Sequence, residues 1–225
     1  NNGGKLNIYG SQKAGNSGTG GIIRKKSGIL TIAGDVSIYN SLVEGNDAIR
    51  AGGGIEIVTG TVDIDRSTFD ENSTGASPGN GGGVRVTGAA ETSVSQSIFT
   101  DNTASEEGGG IWNSATGTLD VFSTYFNGNI AEGPGADQGG GAIFNNGGDA
   151  SVDQSSFRNN DATGTAGSGG AILTVDGTVD VTESNFTANS AIRAGGAIEI
   201  IEGTLNVELS NFDGNATGAS PGNGG

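Results

Sequence analysis

The chain has 225 residues, 45 of them glycine, with no Cys, Met or His and a formal net charge of −15. The glycines follow no strict G-X-Y period, which excludes a collagen triple helix, and regular apolar rows exclude a disordered chain. The acidic balance argues against nucleic acid as a partner, and no apolar run is long enough to span a membrane.

Taken in chain order, residues 1–8 read as a degenerate copy of a unit that recurs downstream. Asn1–Ile8 aligns with Asn145–Val152, which places Lys13 in a phenylalanine row and Asn16 in an asparagine row. Between residues 20 and 46 two inward strand pairs compete, Leu30/Ile32 and Val36/Ile38; the spacing favours the second, followed by Val43 and Asn46. From there the unit is clear. A glycine pair and an aliphatic residue are followed 14 or 15 residues later by a phenylalanine, and three residues after that by an asparagine. The frame holds at Ile55/Phe69/Asn72, Val84/Phe99/Asn102, Ile111/Phe126/Asn129, Ile143/Phe157/Asn160, Ile172/Phe186/Asn189 and Ile198/Phe212/Asn215. The phenylalanines are 30, 27, 31, 29 and 26 residues apart. A period of that size is the mark of a solenoid.

Within a unit, alternation is interrupted twice. In residues 61–72, Val62 and Ile64 alternate with polar neighbours, then Asp65–Arg66 and Asp70–Glu71 each place two polar residues in succession. Each interruption predicts a corner between short strands. Three short strands per coil, stacked at about 4.8 Å, give inward rows that begin Val62/Thr92/Leu119, Ile64/Val94/Val121 and Ser67/Ser97/Thr124, followed by the Phe and Asn rows. The expected fold is all-β: a right-handed parallel β-helix of about eight coils, forming one domain over 1–225 within a longer repeat protein. The Phe and Asn rows are expected to be structural ladders.

The paired motifs GGAI (195–198) and FDGN (212–215) recur as GGAI/FRNN and GGAI/FTAN. They resemble the GGA(I/L/V) and FxxN tetrapeptides of chlamydial polymorphic outer-membrane protein repeats, over roughly residues 20–225. The resemblance implies a pectin-lyase-like right-handed parallel β-helix displayed at a bacterial surface, in a family several of whose members are adhesins.

Loops between each Asn and the next glycine pair vary in length, whereas the arm from aliphatic residue to Phe does not, so recognition is expected at the loop edge. A longer repeat overlies the short one: residues 48–82 return at 191–225 with two-thirds of positions identical. The outward row Asp63, Ser93, Asp120, Ser151, Asp180, Asn206 carries carboxylates on alternate coils. That spacing is too wide for a retaining glycosidase pair and at the limit for an inverting one. No catalytic set, cofactor motif or metal-binding motif is read, although calcium accepts scattered carboxylates and would sit in the acidic loops near Glu106, Glu107 and Asp137. The residues after each glycine-pair aliphatic include Trp112, Phe144 and Leu173 on consecutive coils. They are expected to form an exposed apolar strip, a candidate contact for a sugar ring, a protein or the chain's own loops. The reading is a structural or adhesive, non-enzymatic, extracellular or cell-surface protein. Its expected partners are copies of itself or adjoining β-helix repeats, and glycans or neighbouring surfaces. The alternative is a carbohydrate-binding or carbohydrate-cleaving β-helix.

Overall fold

The computed structural model describes residues 6–9, 22–24, 29–31, 34–76, 78–218 and 224. The described chain is all-β and its strands pair in parallel, coil upon coil, as three sheets of 13, 8 and 7 strands. Six turns carry the Phe–Asn pair, and a turn built on Val43 and Asn46 precedes them. The expected registers hold along the stack. Val62 pairs through Thr92, Leu119, Ala150 and Val179 to Leu205, and Ile64 through Val94, Val121, Val152 and Val181 to Val207.

The largest sheet takes two strands from each coil: a lead strand such as Ile55–Ile57, then a longer one such as Gly60–Asp65. In two coils they fuse, as Ile143–Asp153 and Ile172–Thr182. The first corner is a single left-handed residue: Arg66 (φ 47°), Gln96 (47°), Ser123 (48°), Gln154 (48°) and Glu183 (49°). The second corner repeats the device at Glu71, Asp101, Gly128, Asn159, Ala188 and Gly214. The consecutive polar residues read from the sequence are therefore one strand end plus one αL residue.

Each corner is sealed by a side-chain ladder. After the first, the amide of one row member donates to the hydroxyl of the next: Ser67 N to Ser97 Oγ at 3.0 Å, Thr124 N to Ser155 Oγ at 3.1 Å and Ser155 N to Ser184 Oγ at 3.0 Å. After the second, Asn72 Nδ2 donates to Asn102 Oδ1, Asn102 to Asn129, Asn129 to Asn160 and Asn160 to Asn189, each at 2.9 Å. The other Nδ2 hydrogen goes to a phenylalanine carbonyl on the preceding coil, as Asn129 to Phe99 O at 2.9 Å. Oδ1 also accepts the backbone N–H of the previous asparagine, as Asn102 N to Asn129 Oδ1 at 3.2 Å. The polar capacity of each interior asparagine amide is thus consumed inside the core, which is what burial demands. Between the ladders Phe69, Phe99, Phe126, Phe157, Phe186 and Phe212 stack with centroids 4.7–5.0 Å apart. The ring spacing is the strand spacing, so the coil pitch sets the stacking distance.

Two features of the coil are additional to the sequence reading. A third sheet of two-residue strands, such as Thr103–Ala104 and Asp161–Ala162, follows the asparagines directly, and its inward column is small: Thr74, Ala104, Ala131, Ala162 and Ala191 are buried. The glycine motif also resolves into three distinct columns. The first turns the chain in the left-handed region, as at Gly108 (φ 66°). The second lies flush against backbone: a Cβ on Gly109 would fall 2.3 Å from Gly141 O and 2.5 Å from Ile130 O. The third is glycine in three coils, at Gly54, Gly83 and Gly110, and alanine in the next three, at Ala142, Ala171 and Ala197, which is why the motif reads GG(G/A).

At the N-terminal end, Leu6 pairs with Val36 and Ile8 with Ile38. Val36, Ile38 and Val43 are buried and Asn46 joins the asparagine ladder. The strand Ile29–Thr31 is a lead strand, with Leu30 opposite Glu56 in the outward row. Ile23 stands opposite Val43 in the phenylalanine register. Lys13 and Asn16 lie outside the described residues. Among the described residues no helix is long and apolar enough to cross a membrane.

Candidate functional surfaces

Trp112, Phe144 and Leu173 do occupy one column on consecutive coils, yet they are only 7, 1 and 0% exposed. The expectation of an exposed strip is corrected here. Alternation places these side chains outside the coil, but the incoming loop folds back over them before its glycine turn. A Cβ on Gly169 would lie 2.8 Å from Leu173 Cβ, and one on Gly81 2.8 Å from Arg85 Cβ in the same column. The three residues, with Val175 and Ile201 packed against them, form a second small core under the loop edge. A covered strip offers no ring face to a sugar.

A polar network borders this core. Arg85 pairs with Glu56 at 2.6 Å and lies over the Trp112 ring, 5.1 Å from its centroid. Trp112 Nε1–H donates to Glu107 Oε2 at 2.9 Å, and Asn80 Nδ2 donates to the same oxygen at 3.3 Å. Burial is the main force raising the Glu107 carboxyl above the usual glutamate range, with Glu106 adding to it and the Trp112 hydrogen bond and Arg85 opposing it. Glu106 turns away and accepts from Gln138 Nε2. The two glutamates expected near a calcium ion are therefore committed to different partners. Among the described residues no group of three or more carboxylates gathers closely enough to hold a metal.

The outward face of the long strands carries a shallow groove of about 410 Å³, lined by residues that include Tyr39, Thr61, Asp63, Glu91, Ser93 and Asp120. Asp63 and Asp120 sit two coils apart with Ser93 between them, about 9–10 Å by strand spacing. Asp63 accepts the Tyr39 hydroxyl, and Thr61 Oγ1 donates to Asp35 Oδ1 at 2.7 Å. The groove is polar and open, without a buried acid beside a buried base.

The sequence reading did not pick out the Glu56–Arg85–Trp112–Glu107 network. Its signal was present only as unlike charges at equivalent positions of neighbouring coils, which becomes a contact once the register is known.

The stretch from the first corner through the next glycine turn contains Phe99, Asn102 and Gly108–Ile111 in the geometry just described. Residues 96–114 match the Chlamydia polymorphic membrane protein repeat. The matched segment spans one corner-to-strand unit, and the same unit recurs along the stack with equivalent ladders. No curated protein and no solved structure matches the chain. The chain is a parallel β-helix, and residues 96–114 of it are similar to a repeat of that family.

Proposed function

We propose that this chain is a rigid structural segment of a bacterial cell-surface or extracellular repeat protein, serving as a scaffold for adhesion. One observation carries the reading. The asparagine ladder runs unbroken from Asn46 to Asn215, so this buried polar column is spent on holding coils in register. The match to a repeat of polymorphic membrane proteins supports surface display, and the acidic exterior suits a solvated, extended rod. On this reading its ends stack on adjoining β-helix coils or on another copy. Antibody labelling of intact source cells tests it. Surface signal removed by external protease is expected; signal that emerges only after lysis would sink the idea.

The polar groove over Asp63 and Asp120 favours glycan binding as a second reading, since hydroxyl and carboxyl groups at coil spacing suit a sugar chain. Titration of oligosaccharides against wild type and Asp63→Asn decides it: saturable binding weakened in the variant supports it, and no binding to either removes it.

A further inference from the structure

Residues 48–82 and 191–225 differ at eleven positions, all between 54 and 73. The flanking loops, 48–53 and 74–82, recur unchanged at 191–196 and 217–225. This reverses the usual pattern, in which strands are held and surface loops drift. The scaffold does not demand this loop sequence, because intervening coils carry ASEE, EGPGADQ and TGTAGS at the same edge and stack in the same register.

In space residues 48–53 run beside the described residues of 74–82. Gly75 N donates to Ala48 O and Gly79 N to Arg50 O, both at 2.7 Å, and Gly52 N donates to Asn80 O at 3.0 Å. Among the described residues of the second copy, Gly218 N donates to Ala191 O and Gly196 N to Gly224 O, both at 2.8 Å. Each patch raises an isoleucine beside an arginine. Ile49 is 90% exposed next to an exposed Arg50, and Ile192 is 41% exposed next to Arg193, which also pairs with Glu199. The patches stand five coils apart on one stack, about 24 Å.

A partner engaging both patches must carry the same repeat distance, and a second copy of this chain does. It also carries the complementary charge. Glu44, Asp70, Glu71 and Asp101 crowd the second corner, where burial, then Glu71, Asp101 and Glu44, raise the Asp70 carboxyl. Exposed Ile98 lies in the neighbouring strand, and Asp213 is the counterpart of Asp70 five coils on. We propose that the duplicated loops are a lateral self-association site. Ile49–Arg50 and Ile192–Arg193 of one copy dock on the corner edge of a second, parallel copy, at Asp70/Asp101 and at Asp213. The contact is heterologous and does not close, so it lays copies side by side. It uses the flank of the stack and is independent of end-to-end stacking.

Sedimentation velocity of the purified chain over a concentration series, at low and moderate salt, tests this. Wild type is expected to form reversible oligomers that weaken as salt rises. Ile49→Asp with Ile192→Asp should weaken association by about tenfold or more, with thermal melts confirming the fold; Ile49→Ser is the milder second variant. Mixing Arg50→Asp/Arg193→Asp chains with Asp70→Arg/Asp213→Arg chains should restore the lateral association that neither forms alone. A strictly monomeric wild type, or assembly indifferent to the loop variants, overturns the proposal.

Discussion

Phe126 shows how a residue's cost follows from its column. It is fully buried, stacked on Phe99 at 5.0 Å and on Phe157 at 4.7 Å, so truncation opens a cavity that the rigid pitch cannot collapse. Phe126→Ala should destabilise by about 3–5 kcal/mol, whereas Ser151→Ala on the exposed face of the next coil should stay within about 0.5 kcal/mol; denaturant midpoints of the two variants check both. Glu107 offers a second measurement, because Trp112, the chain's one tryptophan, reports on it. The folded state raises the Glu107 carboxyl, so it holds that proton more tightly than the unfolded chain does. Stability from this group therefore grows as pH falls through the raised folded value toward the ordinary glutamate value, and is absent at neutral pH, where the charged carboxylate is penalised. Glu107→Gln keeps an acceptor for Trp112 Nε1–H without the charge. The variant should melt higher than wild type at pH 7, and its Trp112 fluorescence should be flat across the acid range in which wild type titrates. A wild-type fluorescence that also stays flat would show that Glu107 does not titrate against the ring.

At the scale of the strand and turn, the glycine columns make a sharper prediction than the motif alone. Gly109→Ala drives a Cβ into backbone on both sides, 2.3 Å from Gly141 O and 2.6 Å from Ile130 N, and should cost about 3 kcal/mol or more. Gly110→Ala adds the same methyl one residue on, 2.6 Å from the single backbone oxygen of Ala142, in a column that Ala142, Ala171 and Ala197 already occupy, and should cost less than Gly109→Ala. Thermal melts that rank the two the other way would contradict the register. This distinction explains what was legible in the sequence. Period and alternation exposed the inward rows, because a parallel stack forces equivalent residues onto one line; hence the Phe, Asn and Ser columns were readable. The third sheet was harder, because a two-residue strand such as Thr103–Ala104 has no alternation to read; its only trace is the small residue two positions after each asparagine. The strip at Trp112, Phe144 and Leu173 was misread for a different reason. Alternation tells which side of a strand a residue faces, while a loop outside the periodic part decides whether that side meets water.

For the whole molecule, the distribution of charge bears on how copies meet. Residues 1–26 hold Lys5, Lys13, Arg24, Lys25 and Lys26 and no acid, while residues 197–225 hold Glu199, Glu202, Glu208 and Asp213 and no base. Opposite charge favours head-to-tail docking over head-to-head, and a head-to-tail contact propagates into a filament. Light scattering on the purified chain should therefore show particles that shorten as salt rises. End stacking and lateral docking respond to different substitutions. Charge reversal of Lys25 and Lys26 to Glu should shorten the filaments while leaving lateral association intact, and Ile49→Asp with Ile192→Asp should do the reverse. Particles of unchanged length after the lysine reversal would remove the charge-guided end contact and leave the flank as the site where copies meet.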